Sequence, residues 1–333
     1  MSGAKRYSVI LAVAWVLAFP ESAPSGKAST AAVAPYKAAA WKHLQTLAGL
    51  GPRNPGSAGH RKAREYILQI GRQYADKVVE QKFIHRSPGQ PPLPMVNLEL
   101  KFSGADPDRL PILLGAHYDT RPYADKEPDP ALHATPIPGA NDGGSGTALL
   151  LALARYLHEN QPQTPVNLVF FDGEDFGKEG HKELLLGSTF YANQLGKPAE
   201  SRRPFLALIV DMVADKDLQI YKEFNSVKSA PWLVNIIYRV ALQKHNYPQF
   251  KDKIKYQILD DHVPLIHLDI PSVVLIDLDY PHWHKLTDTL ERCSAESMHA
   301  VFTVVVDTLR ALNLWGKPRA RPPAPPFSNS KTP

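Results

Sequence analysis

Apolar positions along this chain recur with two periods, and the switch between them divides it. From Ala31 to about Ala75 they fall three and four residues apart, first in YKAAAWKHLQTLAGL and then in AGHRKAREYILQIGRQYA, where Tyr66, Ile67, Ile70 and Tyr74 share a face. That spacing predicts two helices, separated by the breaker GPRNPGS, with Ser57 placed to cap the second. Two strands are expected next, VVEQKFIHR and VNLELKF, on either side of the turn-rich SPGQPPLP.

From Leu110 onward, short and almost continuous apolar runs alternate with helical patterns. The runs 110–116, 166–171, 206–213 and 272–277 read as buried strands, and helices are expected at roughly 144–159, 188–195, 231–245 and 294–313. Such alternation predicts an α/β fold, a mixed, mostly parallel central sheet with helices on both faces. No linker interrupts residues 31–315, so they are expected to form a single catalytic domain. Residues 121–138 are a Pro-rich loop of low periodicity, and an ordered loop of that length is commonly functional.

The two ends differ from the middle. Lys5 and Arg6 precede the apolar YSVILAVAWVLAF and the small, polar ESAPSGKAS, the order of a secretory signal peptide over residues 1–26. The run is short for a bilayer span, so no stable membrane insertion is expected once the leader is removed. Residues 316–333, GKPRARPPAPPFSNSKTP, are too rich in proline and polar side chains to pack, and are expected to be disordered. The formal net charge of +5 is concentrated in these ends, on Lys5, Arg6, Lys317, Arg319, Arg321 and Lys331. The middle is close to neutral and offers nucleic acid no basic surface. Cys293 is the only cysteine, so no internal disulfide can form. An exported chain without disulfides fits a bacterial envelope, secreted or periplasmic, better than an animal secretory pathway.

The chemistry gathers where the apolar runs end. His117 and Asp119 follow LPILLGA, Asp142 lies in GANDGGSG, and Glu174 and Asp175 follow NLVFFDG; Asp211 follows LALIV, then come Asp260-Asp261-His262, and Trp283-His284 follow SVVLIDLDYPH. In open α/β sheets ligands bind beyond the carboxyl ends of the strands, so these groups are expected to meet in one site. Oxygen and nitrogen donors without cysteine suit catalytic zinc.

Taken singly, most of these motifs have an ordinary structural explanation. HYD at 117–119 sets His117 and Asp119 on one side of an extended segment, where Asp119 could orient a metal-bound His117, but such a pair is usually a structural hydrogen bond. The Asn-Asp of GANDGGSG is commonly a helix cap, Asp172 another cap, and His262 and His267 partly buried histidines. FFDGED is the most specific. Adjacent Glu174 and Asp175 are costly to ionise together unless a cation or proton separates them. One can hold metal while the other works as general base. GANDGGSG lacks the GKS or GKT of a phosphate loop, and no GxSxG stands between a strand and a helix, which disfavours a serine hydrolase.

The ordered series GAHYDT, GANDGGSG, FFDGED, LIVDM, DDHVP and WHK resembles the M28-type zinc exopeptidases, from about Tyr36 to Leu312, and within that family its animal-type glutaminyl-peptide cyclotransferase branch. The resemblance implies one zinc held by Asp142, Asp175 and His284. Glu174 would be the general base and acid, Asp211 and Asp260 a hydrogen-bonded acidic pair beside it, and Trp283 a wall of the substrate pocket. The implied substrates are peptides or proteins with a free N-terminus. In the aminopeptidase branch, His117 and Asp211 would instead hold a second zinc, with Asp142 bridging both ions. Asp260 before Asp261-His262, Trp283 directly before His284, and the long FGKEGHKELLLGS segment favour the cyclotransferase branch. The availability of His117 and Asp211 keeps the two-zinc alternative open. The chain also departs from animal cyclotransferases in lacking their tryptophan within 176–188, and Asp175 stands where such enzymes often carry Glu.

Overall fold

A computed structural model of the chain describes residues 26–177, 183–197, 202–312 and 314. The leader expected at 1–26, apart from Gly26, and the tail expected at 316–333 lie outside the described residues.

The two early helices form as the spacing predicts. They are α1, Gly26–Gly49, and α2, Ala58–Tyr74. Ser57 caps α2, its hydroxyl accepting from the His60 N–H at 3.0 Å. The strands β1, Lys77–His85, and β2, Leu93–Phe102, pair antiparallel. The alternating part follows, with β3 Ile112–His117, α3 Gly144–Glu159, β4 Val166–Phe171, α4 Leu186–Leu195 and β5 Leu206–Asp211, and later β8 Ser272–Ile276 and α8 Ala295–Ala311. The main sheet runs β1-β2-β4-β3-β5-β8. Its first two neighbour pairs are antiparallel and the next three parallel, which is the mixed, mostly parallel arrangement expected from the sequence.

The central strands are buried on both faces, and their side chains divide by the two-residue period of extended backbone. Ile112, Leu114, Leu168, Phe170, Leu208 and Val210 enter one core with α1, α2, α3 and α8. Leu113, Val169, Phe171, Ile209 and Val274 enter a second on the opposite face with α4. Helix α3 is apolar almost all round because it lies between the sheet and the outer helices. Such two-sided burial fixes strand register, since a one-residue slip would exchange the two cores.

The structure corrects some predicted boundaries and adds elements. The strand expected over 206–213 ends at Asp211, because Met212 turns into left-handed backbone, φ 45°. The helix expected over 231–245 is α6, Pro231–Arg239, followed by one wide π turn over Val240–Lys244. Four short elements carry too little periodicity to be read from sequence: β6 Ile220–Glu223, α5 Phe224–Ser229, β7 Phe250–Tyr256 and α7 His262–Ile266. β6 and β7 pair as a separate two-stranded ribbon. Among the described residues no helix is long and apolar enough to cross a membrane.

Candidate active site

The parallel strands β3, β4, β5 and β8 all release their chains at one edge of the sheet, and the predicted groups meet there. His117 is the last residue of β3 and Asp211 the last of β5. Glu174 and Asp175 follow β4, Asp142 precedes α3, Asp260 and Asp261 precede α7, and His284 lies in the loop after β8. Potential ligand atoms of Asp142, Asp175 and His284 lie within 4.8 Å of one another, and so do those of His117, Asp142 and Asp211. Asp142 belongs to both trios. Its Oδ1 is 3.3 Å from His117 Nε2, and its Oδ2 is 3.7 Å from His284 Nε2.

The trios differ in how their atoms are satisfied. His117 Nε2 is hydrogen-bonded to Asp211 Oδ1 at 3.1 Å. Asp142 Oδ2 and Asp175 Oδ2 are buried without a hydrogen-bond partner, and Asp175 Oδ2 is 3.3 Å from His284 Nε2. Buried carboxylate oxygens left unpaired are costly. Two carboxylates and an imidazole converging on one point fit a divalent metal, and the oxygen–nitrogen donor set fits zinc.

A ring of acids surrounds this point. Burial pushes the Glu174 carboxyl well above the usual range, and the nearby Asp175, Asp261 and Asp260 push it further, against the opposing pull of His117. Asp260 is pushed up to about 7 by burial and then by the Asp211 charge. Asp261 is raised the same way, by burial and by Asp260. The expected hydrogen bond between Asp211 and Asp260 is replaced by other contacts. Asp211 accepts from His117, and Asp260 Oδ1 accepts from the backbone N–H of Asp261. The two acids communicate through charge. Trp283 is half-buried beside the site, its ring centroid 4.1 Å from that of His284, with the Lys126 ammonium 5.2 Å from the indole centroid.

Backbone geometry holds these groups with few side chains to spare. Asp119, foreseen as a partner of His117, lies 3.5 Å from its Nδ1 and also accepts from the backbone N–H groups of Glu174 and Asp175, each at 3.2 Å. Gly143, φ 73°, turns the chain into α3, and a Cβ there would stand 2.3 Å from the Asp119 carbonyl oxygen. Asp172 is structural, as one reading of the sequence had it: it accepts from the Val96 N–H and the Tyr118 hydroxyl and pairs with His60 at 2.8 Å. His262 is fully buried against Glu223, 3.2 Å away.

Four supporting residues escaped sequence reasoning. Arg53 is fully buried, and its guanidinium donates to the carbonyls of Tyr118, Pro138, Gly139 and Asp142. Asp288 accepts from the backbone N–H groups of Asn141 and Asp142 at 2.9 and 3.1 Å. Arg121 and Asp125, in the Pro-rich loop, stand directly behind Asp175 and His284. The available signals were the arginines set beside proline in the PRNP of the breaker and in the RPYAD that opens the loop.

Comparison with known proteins agrees with this geometry. The sequence profile of peptidase family M28 matches residues 97–309, which include strands β3, β4, β5 and β8 and both ligand trios. The chain belongs to peptidase family M28. Within the family, it is 25% identical to the glutaminyl-peptide cyclotransferase of Drosophila melanogaster over 262 residues, 71% of this chain and 70% of that protein. The crystal structure of Fimbriiglobus ruber glutaminyl cyclase superposes with a TM-score of 0.76 at 32% identity, covering 83% of this chain and 95% of that one. A Zn-dependent exopeptidase from Parabacteroides distasonis superposes with a TM-score of 0.77 at 29% identity, covering 82% and 97%. This M28 chain is therefore similar both to cyclases and to exopeptidases, and the choice between them falls to the site.

Proposed function

We propose that this M28 protein is a zinc-dependent glutaminyl-peptide cyclotransferase, converting the N-terminal glutamine of peptides to pyroglutamate with release of ammonia. The observation that carries the reading is the asymmetry of the two trios. Asp142 and Asp175 each present an unpaired buried oxygen to a point that His284 Nε2 also faces, whereas His117 Nε2 is already hydrogen-bonded to Asp211. That arrangement supports one zinc per chain. The likeness to glutaminyl cyclases over most of the chain supports the same branch.

Zinc bound there would polarise the γ-carboxamide carbonyl of the substrate as a Lewis acid. Glu174, partly exposed and 3.9 Å from His117 Nδ1, faces the same space. Its raised proton affinity suits it to accept a proton from the substrate α-amine as that nitrogen attacks the γ-carbon. The same proton then passes to the departing amide nitrogen, which leaves as ammonia. Nucleophile and electrophile belong to one residue, so the pocket need only fold the glutamine side chain back on its own amine. Trp283 is placed to form an apolar wall for that side chain. Asp260, its proton affinity raised by burial and by the Asp211 charge, would keep a proton in reserve behind Glu174. The leader expected at 1–26 would deliver the enzyme to the envelope or beyond it, where peptides with free N-termini are its substrates.

A two-zinc aminopeptidase is the second reading, favoured by the close approach of His117 and Asp211 to Asp142. Purified protein incubated with a Gln-initiated and a Leu-initiated peptide separates them. The cyclotransferase blocks the first with loss of ammonia, leaves the second intact, and carries one zinc per chain that survives His117→Ala. Free leucine, with two zincs per chain falling to one in His117→Ala, would establish the aminopeptidase. Ala at Asp142, Asp175 or His284 is expected to lower zinc content in each case, and unchanged content would remove that residue from the ligand set.

A further inference from the structure

The Pro-rich loop after β3 sends two residues to the back of the metal trio. Arg121 is 1% exposed, and its guanidinium is used on both edges. Nη1 donates to Asp175 Oδ1, while Nε and Nη2 grip Asp125 through both carboxylate oxygens, at 3.0 to Oδ1 and at 3.1 and 2.7 Å to Oδ2. Asp125 Oδ1 in turn lies 3.4 Å from the buried His284 Nδ1, outside hydrogen-bond geometry but close enough to act on it through charge. One planar fork therefore joins the backs of two of the three ligands.

Each contact has a consequence for the front. With Oδ1 of Asp175 engaged by Arg121, only Oδ2 faces the trio, and that oxygen is buried without a partner. A carboxylate near His284 Nδ1 favours the tautomer that carries its proton on Nδ1 and presents the Nε2 lone pair toward Asp142 and Asp175. Two ligand carboxylates, Asp125, the guanidinium and a divalent ion together are electrically neutral, which a buried site requires. Lysine in place of Arg121 could supply the charge but not the two-edged planar grip.

We propose that Arg121 and Asp125 are positioning residues that set the coordination of the metal centre: Arg121 confines Asp175 to one ligating oxygen, and Asp125 fixes the tautomer and ring orientation of His284. The inference rests on the assignment of Asp142, Asp175 and His284 as the ligand set. The loop carries this role through its own packing. Ala124 and Ile137 N–H groups donate to the Thr135 and Arg121 carbonyls, and Glu127 accepts from the Leu286 N–H beside His284.

The test is made on full-length protein loaded with cobalt(II) or zinc(II), and its readouts are spectroscopic and thermodynamic rather than catalytic. Wild-type protein should bind one cobalt with the intense visible absorption of a four-coordinate ion. Failure to bind would overturn the ligand assignment itself, separately from the roles of Arg121 and Asp125. In Arg121→Gln the freed Asp175 oxygen should join the ion, with a several-fold loss of visible absorption as coordination number rises. Arg121→Lys should fail to restore the wild-type spectrum. Asp125→Asn, close in shape and so expected to fold, should weaken zinc roughly 10–100-fold in competition with a chromophoric chelator. Melting of each metal-free variant checks that folding is intact. A wild-type cobalt spectrum in Arg121→Gln, or zinc affinity in Asp125→Asn within twofold of wild type, would overturn the corresponding role.

Discussion

Glu174→Gln should retain zinc and lose turnover by ~10²–10⁴-fold, the range typical of a removed general base and acid. Glutamine keeps the size of the side chain and its ability to hydrogen-bond, so the acidic ring loses one charge and little else. Loss of rate then reports proton transfer. The Asp119 bonds that hold this turn are made to backbone N–H groups and should survive the change. Burial and neighbouring carboxylates raise the proton affinity of Glu174, which moves a carboxyl toward the operating pH of a proton shuttle. Single-turnover assays alongside zinc analysis check the prediction. Near-full activity with normal zinc would remove Glu174 from the chemistry, and lost zinc would make it a structural support of Asp175.

The second large effect concerns stability and pH. Burial pushes Asp260 and Asp277 up to about 7, from an unperturbed 3.8. The folded state therefore binds these protons more tightly than the unfolded chain does. Stability of the metal-free protein should be fullest below the unfolded value, about pH 4 for these groups, and decline as pH rises through 7, by a few kcal/mol per group. Glu223 acts in the opposite sense. It is held down to about 2, against its own burial, by the His262 pair and the backbone N–H groups of Asn225 and Ser226, and its contribution disappears in strong acid. The metal-free optimum should thus lie at about pH 4. Zinc reverses the alkaline loss. His284 is pushed up to about 9, chiefly by Asp175 against its own burial, so at pH 5 zinc must displace its proton and at pH 8 it does so more easily. At a thousandfold excess over the dissociation constant zinc adds about 4 kcal/mol, or roughly 10 °C in Tm. Melting at pH 5 and pH 8, with chelator or with zinc, should show the larger zinc increment at pH 8. Equal increments, or a metal-free Tm that rises toward pH 8, would contradict the assignment of these buried acids.

Strand and helix periodicity predicted the sheet and its helices because β3, β4, β5 and β8 are buried on both faces and leave little choice of register. The same logic placed His117, Glu174, Asp175, Asp211 and His284 together, since parallel strands end at one edge. The ribbon of β6 and β7 was not legible. FKDKIKY alternates lysine and aspartate with isolated apolar residues, and its pairing depends on a partner thirty residues away. Arg53 and Asp288 escaped for a different reason. Apart from the Tyr280 hydroxyl that Asp288 accepts from, the hydrogen-bond partners of their side chains are backbone groups, and a carbonyl or an N–H leaves no mark in the sequence. The Asp211–Asp260 hydrogen bond is implied by the resemblance alone, and sequence does not show that His117 and the Asp261 N–H are the partners these acids take. Arg121 and Asp125 lay within a loop that was recognised as functional, but only three-dimensional packing says which of its charges turn inward.

His284 occupies left-handed backbone, φ 55°. Side chains with a Cβ adopt that region at a cost of roughly 1–2 kcal/mol, and Asn, Asp and His tolerate it best while glycine is indifferent. The position therefore has a restricted alphabet for anyone seeking to retune the metal. Longer acids such as Glu and β-branched residues meet the backbone penalty before they meet the ion. Aspartate is the substitute the local chain accepts, and with Asp142 and Asp175 already in place it would complete an all-oxygen site, whose preference moves from zinc toward magnesium, calcium or manganese. The conformation of one residue thus sets the route by which this centre could exchange one metal chemistry for another.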